Sequence, residues 1–472
     1  MLGLFAAVHA LYIALGVRFD TTPLSWFWQY LDVTLLRGRL AESLLYLHCQ
    51  PPLFNLFLGM VLKLFPSRYG LAFEALFHAL GVLLYLSLFF LMRRLGISTG
   101  IAFVLSTLFM ASPSFVLYEE WLCYAFPLTV ALVLSVLFLQ GLIQRESAGP
   151  ALGLALCLLV LCGTWDLFHL VYLVLVTCGL LLALPDRRVL LLKTAVPVIC
   201  VLLALYLKNF VLFGHFAPST WLGMNLARIT LQQAPRAERH RLAIQGKMSH
   251  VGLIMPFQPL GAYPARYAEI RGFEGVPSLR EVTKSTGAPN LNHLGYVALA
   301  DQYLKDSLAL AWHYPEAYLT GVRAAWLYYF TPTSDLGLLA PNSDRLQLPI
   351  RLWDRFFYGQ SRIQVSMASG DRRPLYFSLL VGLPLLLLVS LRFALARESS
   401  ENRAQRERRL LVAYMCFNIL WVAVLGNSVE VGENNRFRFT TDPLSAALAG
   451  LVLQGLLSRW PRRRPIPTAA NS

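Results

Sequence analysis

Charge is what this sequence has least of. Aspartate, glutamate, lysine and arginine make up 14% of its 472 residues, against about 25% in an ordinary soluble protein. The stretches 70–92, 121–143, 166–185, 189–213 and 374–391 are apolar runs with few charges. A hydrocarbon core of about 30 Å takes roughly 20 apolar residues as helix to cross, and only a helix of that kind satisfies its own backbone groups in lipid. The composition therefore excludes a soluble α-protein and predicts an all-α polytopic membrane protein. Cysteine is also sparse, at seven, with no metal-ligand spacing and no disulfide framework. Five of the seven (Cys157, Cys162, Cys178, Cys200, Cys416) fall in or near apolar runs, and a Cys49–Cys123 bridge stays open. Internal repeats and low-complexity segments are absent. Residues 1–17 lack the basic start and small-residue cleavage site of a signal peptide, so they read as a retained first helix.

What charge there is leans basic, 41 lysines and arginines against 26 acids, for a net +15. The arginines gather in short loops: MRR at 92–94, Arg145, DRR at 186–188, the run 392–409, and SRWPRRR at 458–464. That is topogenic charge and not a nucleic-acid surface. With all these loops cytoplasmic, helices at about 70–92, 99–117, 121–143, 149–164, 166–185, 189–213, 374–391, 410–427 and 442–458 alternate without conflict. The segment 51–65 is short, opens with Pro51 and Pro52 and carries Lys63, so it is expected to be half-inserted. The segment 315–330, short and bearing Arg323, is expected at the membrane surface. About ten crossings follow, or twelve if both short segments cross. The chain divides into 1–213, an external region 214–373, and a C-terminal membrane part 374–472.

In the first external loop, 18–50, Thr22-Pro23 is a good helix start. Leu24, Phe27, Leu31, Leu35, Leu36, Leu40, Leu44 and Leu47 recur at helical spacing, which predicts juxtamembrane helices lying on the bilayer. The region 214–373 is rich in turn residues, with a helix near 294–314. Polar residues collect on the outer side: Asp20, His48, Gln50, Glu119, Glu120, Asp166, His169, Lys208, Glu430, Glu433, Arg436, Arg438 and Asp442. Ionisable groups at a membrane are expensive and tend to be functional. Here they point to a site facing both outside solvent and lipid. His9 and His78, on apolar faces, read as packed.

Three stretches carry a resemblance: YLHCQPPLFNLFLG, ASPSFVLYEEWLCYAFP and ENNRFRFTTDPL. Together they resemble the external motifs of GT-C polyprenyl-phosphate-sugar glycosyltransferases of the protein-mannosyl and aminoarabinose-transferase type (family 39-like). The motifs cover about sixty residues, and the hydropathy profile is similar over nearly the whole chain. The resemblance implies a GT-C-like bundle of ten to twelve helices in the plasma (inner) membrane, with the active site facing the periplasm or outside. It implies a polyprenyl-phosphate sugar donor, a lipid, glycan or protein acceptor, and inversion at the anomeric carbon. By position Asp20 is the first-loop acid, with Asp32 behind it because Thr21 stands where the family has a second acid. Glu119 or Glu120 is the second acid, and Arg436 and Arg438 are the phosphate ligands, with His48, Gln50 and Glu433 beside them.

The chemistry stands on its own as well. Glycosyl transfer passes through an oxocarbenium-like state. The acceptor hydroxyl needs a carboxylate to take its proton, and a departing lipid phosphate is best held by arginine. Read as a strand, RFRF would put Arg436 and Arg438 on one face and turn Phe437 and Phe439 to lipid. A divalent cation held by Asp20, His48 and Glu119 stays open. A lipid-linked oligosaccharide polymerase or ligase and a lipid transporter or flippase are the competing function classes.

Overall fold

A computed structural model describes residues 1–145, 147–366, 372–396 and 402–459. Helix dominates. Five helices are long and apolar enough to cross a membrane: Tyr69–Arg94, Ala125–Gln144, Pro185–Phe213, Ser378–Leu395 and Arg403–Val429. Shorter apolar helices accompany them at Leu2–Ala14, Leu53–Leu64, Ala148–Thr164, Leu170–Ala183 and Asp442–Ser458. The chain is an all-α integral membrane protein. Its only described strands, Gln360–Ser366 and Arg372–Tyr376, pair antiparallel in one small hairpin.

The helix expected at 99–117 is broken. It runs Thr99–Ala111, then turns by 57° into Pro113–Glu119. The residue before a proline is pushed out of the helical region, and Ser112 is extended at φ −66°, ψ 143°. Pro113 then starts the second piece, where its missing N–H costs nothing, and the Ser112 hydroxyl caps it by accepting from Phe115 N. The break carries Glu119 and Glu120 inward, where both are buried.

Leu53–Leu64 has 12 residues, about 18 Å of helix, well short of a bilayer core. Helix Pro315–Tyr329 packs on Asn434–Phe439 and Arg403–Val429. The first loop differs from the expectation. It forms three short helices, Pro23–Trp26, Val33–Gly38 and Leu40–Leu45, but Leu24, Phe27, Leu31, Leu36, Leu40 and Leu47 are buried in protein. Residues 214–293 clamp the loop. Lys284 Nζ donates to Phe27 O at 2.8 Å, Thr286 Oγ1 to Ser25 O at 2.6 Å, and Ser219 Oγ to Cys49 O at 2.7 Å. Asp32 caps Val33–Gly38 and also accepts from Ser285 N and Oγ. It is a structural tie between the loop and its cover. Within that cover Gly223 lets Leu222–Ile229 lie against Gly295–His313, since a Cβ there would overlap Ala300 O. Cys49 and Cys123 are both free thiols.

Candidate functional site

The stretch Asn434–Phe439 is a helix, not a strand. Two asparagines pin it. Asn434 Nδ2 donates to Asn427 Oδ1 at 2.8 Å and to Glu430 O at 3.0 Å. Asn435 Nδ2 donates to Pro332 O at 3.0 Å and Asp335 O at 2.8 Å. These bonds tie the six residues to two neighbouring segments that an extended chain would not reach. Phe437 and Phe439 are buried, not turned to lipid. Phe439 stacks on Tyr118 at 3.8 Å, and Phe437 meets Trp165 at 5.0 Å. A helix advances 100° per residue, so side chains two apart diverge by about 200°. Arg436 and Arg438 therefore face opposite ways.

Arg436 enters the wall of a cavity of about 250 Å³. Its Nη1 donates to Tyr124 OH at 2.8 Å. Nη2 lies 2.8 Å from Glu433 Oε2, without hydrogen-bond alignment. The guanidinium sits over the Tyr124 and Trp165 rings at 5.2 and 5.8 Å. Around it stand Asp166, Glu430, Glu433 and Arg228, with Trp28, Trp165, Trp221 and Phe257 as apolar walls. Arg228 pairs with Glu430 at 2.9 Å. Gly432, at φ +119°, makes that approach open, because a Cβ would meet Arg228 Nη2 at 2.5 Å. Burial raises the Glu430 carboxyl, against the pull of Arg228. Burial likewise pushes the Asp166 carboxyl up to about 6. Four polar atoms of the lining are buried without an aligned hydrogen-bond partner: Gln29 Oε1, Trp221 Nε1, Glu433 Oε2 and Arg436 Nε. Buried polar groups are ordinarily satisfied, so this wall has spare capacity for a polar ligand.

Arg438 turns to the other side. Its Nε meets Asp442 Oδ1 at 3.2 Å and its Nη1 donates to Tyr329 O at 2.5 Å; Nη2 is buried without a partner. Asp442 opens an apolar groove of about 560 Å³, lined by Leu105, Phe109, Leu383, Leu386, Ala446, Val452 and Leu456 among others. From Asp442 to Leu456 the groove follows 14 helical steps, about 21 Å. Its polar end holds Ser112, Ser114, Thr333 and Asp442. There Ser114 Oγ and Thr333 Oγ1 lack an aligned hydrogen-bond partner, as does nearby Tyr118 OH.

The other residues expected at the site divide. Glu433 and Arg436 do line the cavity. Asp20 does not; its backbone pairs with the outer turn, Asp20 N donating to Glu120 O at 2.7 Å, and its Oδ1 accepts from Thr22 N at 2.9 Å. Glu119 and Glu120 are withdrawn into pairs with His9 at 2.5 Å and His78 at 2.8 Å. Those histidines are therefore more than packed side chains. His48 is fully buried, and both ring nitrogens are taken, by Thr220 Oγ1 at 2.8 Å and Asn292 O at 2.9 Å. Burial pushes its pKa down to about 3, so it is a neutral strut. Gln50 donates to Gln29 O at 2.7 Å and lines a separate small pocket with Lys208 and Asn209. With His48 closed by its partners, Asp20, His48 and Glu119 do not form a cation site. The cavity also holds Asp166 and Glu430, which the sequence marks as outer acids, and Arg228, Trp165 and Trp221, which no local signal in the sequence marks.

No family model matches the chain, and no curated protein matches its sequence. Among solved structures, the chain is similar to the crystal structure of ArnT from Cupriavidus metallidurans bound to undecaprenyl phosphate. The two share 14% identity and a TM-score of 0.32, over 97% of this chain and 79% of that one. A superposition that loose carries no residue across.

Proposed function

We propose that the protein is a membrane glycosyltransferase that moves a sugar from a polyprenyl-phosphate donor to an acceptor hydroxyl, with inversion, on the outer face of the plasma (inner) membrane. One observation carries the reading. A single helical turn holds Arg438 behind Asp442, which lines the polar end of a long apolar groove, and Arg436 in the wall of a tryptophan- and carboxylate-lined cavity. A polyprenyl-phosphate sugar has those three parts in that order. The prenyl chain fits the groove, the phosphate meets Ser114 and Thr333 beside the Arg438–Asp442 pair, and the sugar meets the cavity. Tryptophan faces and convergent polar groups suit a sugar's two-sided surface.

In the step itself the bond from the anomeric carbon to the phosphate oxygen breaks as the bond to the acceptor oxygen forms. The phosphate leaves with the electron pair on the lipid, and the acceptor's proton passes to a carboxylate. Asp166 suits that role best, because Glu430 and Glu433 already face arginines. Asp20 is the competing base. Purified protein in proteoliposomes, given a panel of polyprenyl-phosphate sugars, is expected to transfer one of them to an acceptor, read as a mass shift. Asp166→Asn is expected to lose about two orders of magnitude or more in turnover, the scale of general-base catalysis. An Asp20→Asn variant that loses as much, with Asp166→Asn unaffected, returns the role to Asp20. No transfer from any donor, with no binding of polyprenyl phosphate, overturns the reading.

A further inference from the structure

We infer that His9, His78 and Glu119 form a site for one divalent transition-metal cation, of the zinc type, separate from the cavity and the groove, with Glu120 holding His78 from its other side. Nothing in the proposed glycosyl transfer uses these residues, and this inference does not rest on that reading.

The four side chains come from three segments: helix Leu2–Ala14, helix Tyr69–Arg94, and the piece that follows the Ser112-Pro113 break. One donor atom each of His9, His78 and Glu119 lies within 4.8 Å of the others, and the same holds for Glu74, His78 and Glu120. His78 belongs to both sets, and its ring stands edge-on to His9 at 5.3 Å.

The tautomer of His9 sharpens the argument. Its Nδ1 lies 2.9 Å from Phe5 O. A carbonyl only accepts, so Nδ1 carries the hydrogen. In the neutral ring Nε2 then presents a lone pair to Glu119 Oε2, 2.5 Å away. Two acceptors face each other there, so a proton or a metal ion must sit between them, and the site can exchange one for the other. An imidazole whose far N–H is held by a backbone carbonyl is the usual outer support of a metal-bound histidine. Glu119 is completely buried, and its second oxygen, Oε1, has no hydrogen-bond partner. It packs over Gly81, where any Cβ would overlap it. A buried carboxylate with a free oxygen and two imidazoles make a mixed nitrogen and oxygen donor set. That set suits zinc and its first-row neighbours better than magnesium or calcium.

Two ligands on a tetrahedral zinc sit roughly 3.3 Å apart for bonds of about 2.0–2.1 Å, so the His9–Glu119 pair, at 2.5 Å, opens by about 0.8 Å on loading. His9 and Glu119 are each under a tenth exposed, and none of the three ligands lines the cavity or the groove, so the site is structural. It would bolt the first helix to the outer turn. Through Glu120 O, which holds Asp20 N at 2.7 Å, it would also set where the first external loop begins.

A proton shared within each His–Glu pair is the rival occupant, and direct measurement separates the two. The full-length protein, purified in detergent and stripped with a chelator, is titrated with zinc chloride and its bound metal measured by mass spectrometry. One zinc per chain is expected, with a rise in the unfolding temperature. Glu119→Gln keeps the shape and removes a charged ligand. His78→Ala, at a partly exposed side chain, removes the shared imidazole and gives a second test if the first variant folds poorly. Each is expected to weaken zinc binding at least tenfold, on the order of losing part of a ligand set, and to lose the thermal shift. A wild-type protein that binds no zinc overturns the inference and leaves two proton-sharing pairs. So does full zinc retention in both variants.

Discussion

Replacing each arginine of the 434–439 helix by lysine separates the two roles assigned to them. Arg436 makes one aligned hydrogen bond, one ion pair and three ring contacts, to Tyr124, Glu433, Trp165 and Phe437. Lysine keeps the charge but can serve only one of the two polar partners, and it loses the planar stack. A buried polar partner left unsatisfied costs about 1–3 kcal/mol, and the lost cation–π contact about 0.5–2 kcal/mol. The sum is about 1.5–5 kcal/mol, or roughly 10- to 5,000-fold if it falls on the rate. Arg438→Lys loses a comparable pair, to Asp442 and Tyr329 O, so the two variants should lose similar stability in thermal unfolding. Their kinetics should differ. Arg438 holds Asp442, which lines the groove, so its loss should weaken ground-state binding and raise KM for the lipid donor with kcat within a few-fold. Arg436 lines the reaction cavity, so its loss should fall on kcat. Donor titrations of the wild type and both variants decide this. If both variants show one shared pattern, or match the wild type, the division of labour is wrong.

Other measurements test the surroundings. If Asp166 is the base, activity should rise with pH through about 6, where burial holds its carboxyl, and Asp166→Asn should remove that limb from the pH–rate profile. The same raised carboxyl contributes stability that is complete below its unfolded value near 4 and is lost as pH climbs to about 6. Asp166→Asn should therefore flatten the unfolding temperature over that window. Gly321→Ala puts a Cβ into Ile229 O, a backbone atom that cannot yield, and should cost about 1–3 kcal/mol, seen as a lower unfolding temperature. For topology, an impermeant thiol reagent added outside should label cysteine at Lys247 and miss cysteine at Arg94 and Asp186, in a background lacking exposed Cys178 and Cys200. Labelling at position 94 would reverse the orientation.

The membrane architecture was legible because its signal is one-dimensional. A run of apolar residues long enough to span needs no partner to be recognised, and the long helices at 69–94, 125–144, 185–213, 378–395 and 403–429 follow from length and hydropathy alone. The break at Ser112 was legible in principle, since Ser-Pro in an apolar run is a stop and a restart. Hydropathy averaged over it hid the bend. The first loop failed for a different reason. An apolar stripe at helical spacing says that a face is covered but not by what, and lipid and the 214–293 cover are equally apolar answers. Only long-range bonds such as Lys284 to Phe27 O distinguish them.

The site was legible only as far as charge near a membrane marks it. Glu119 and Glu120 were conspicuous as adjacent acids at an outer turn, but whether an acid faces a cavity or a histidine depends on the helix packed against it. His9 and His78 lie 110 and 42 residues away from their partners. The RFRF stretch carries the same lesson at shorter range. Alternating arginine and phenylalanine has the two-residue period of a strand with one polar and one apolar face. That period decides structure only if the segment has a strand to pair with and two different environments to separate. Here neither exists. Both aromatics and both arginines are buried, and the asparagines that begin the segment satisfy neighbouring backbone carbonyls from a helical turn. Once every face is buried, alternation confers no advantage and local hydrogen bonding decides. The consequence is functional as well as structural. A strand would have set both arginines side by side, whereas the helix sends Arg436 to the cavity and Arg438 to Asp442, which lines the groove. Under the proposed function, one turn of backbone then stands between the site for the lipid tail and the site for the sugar.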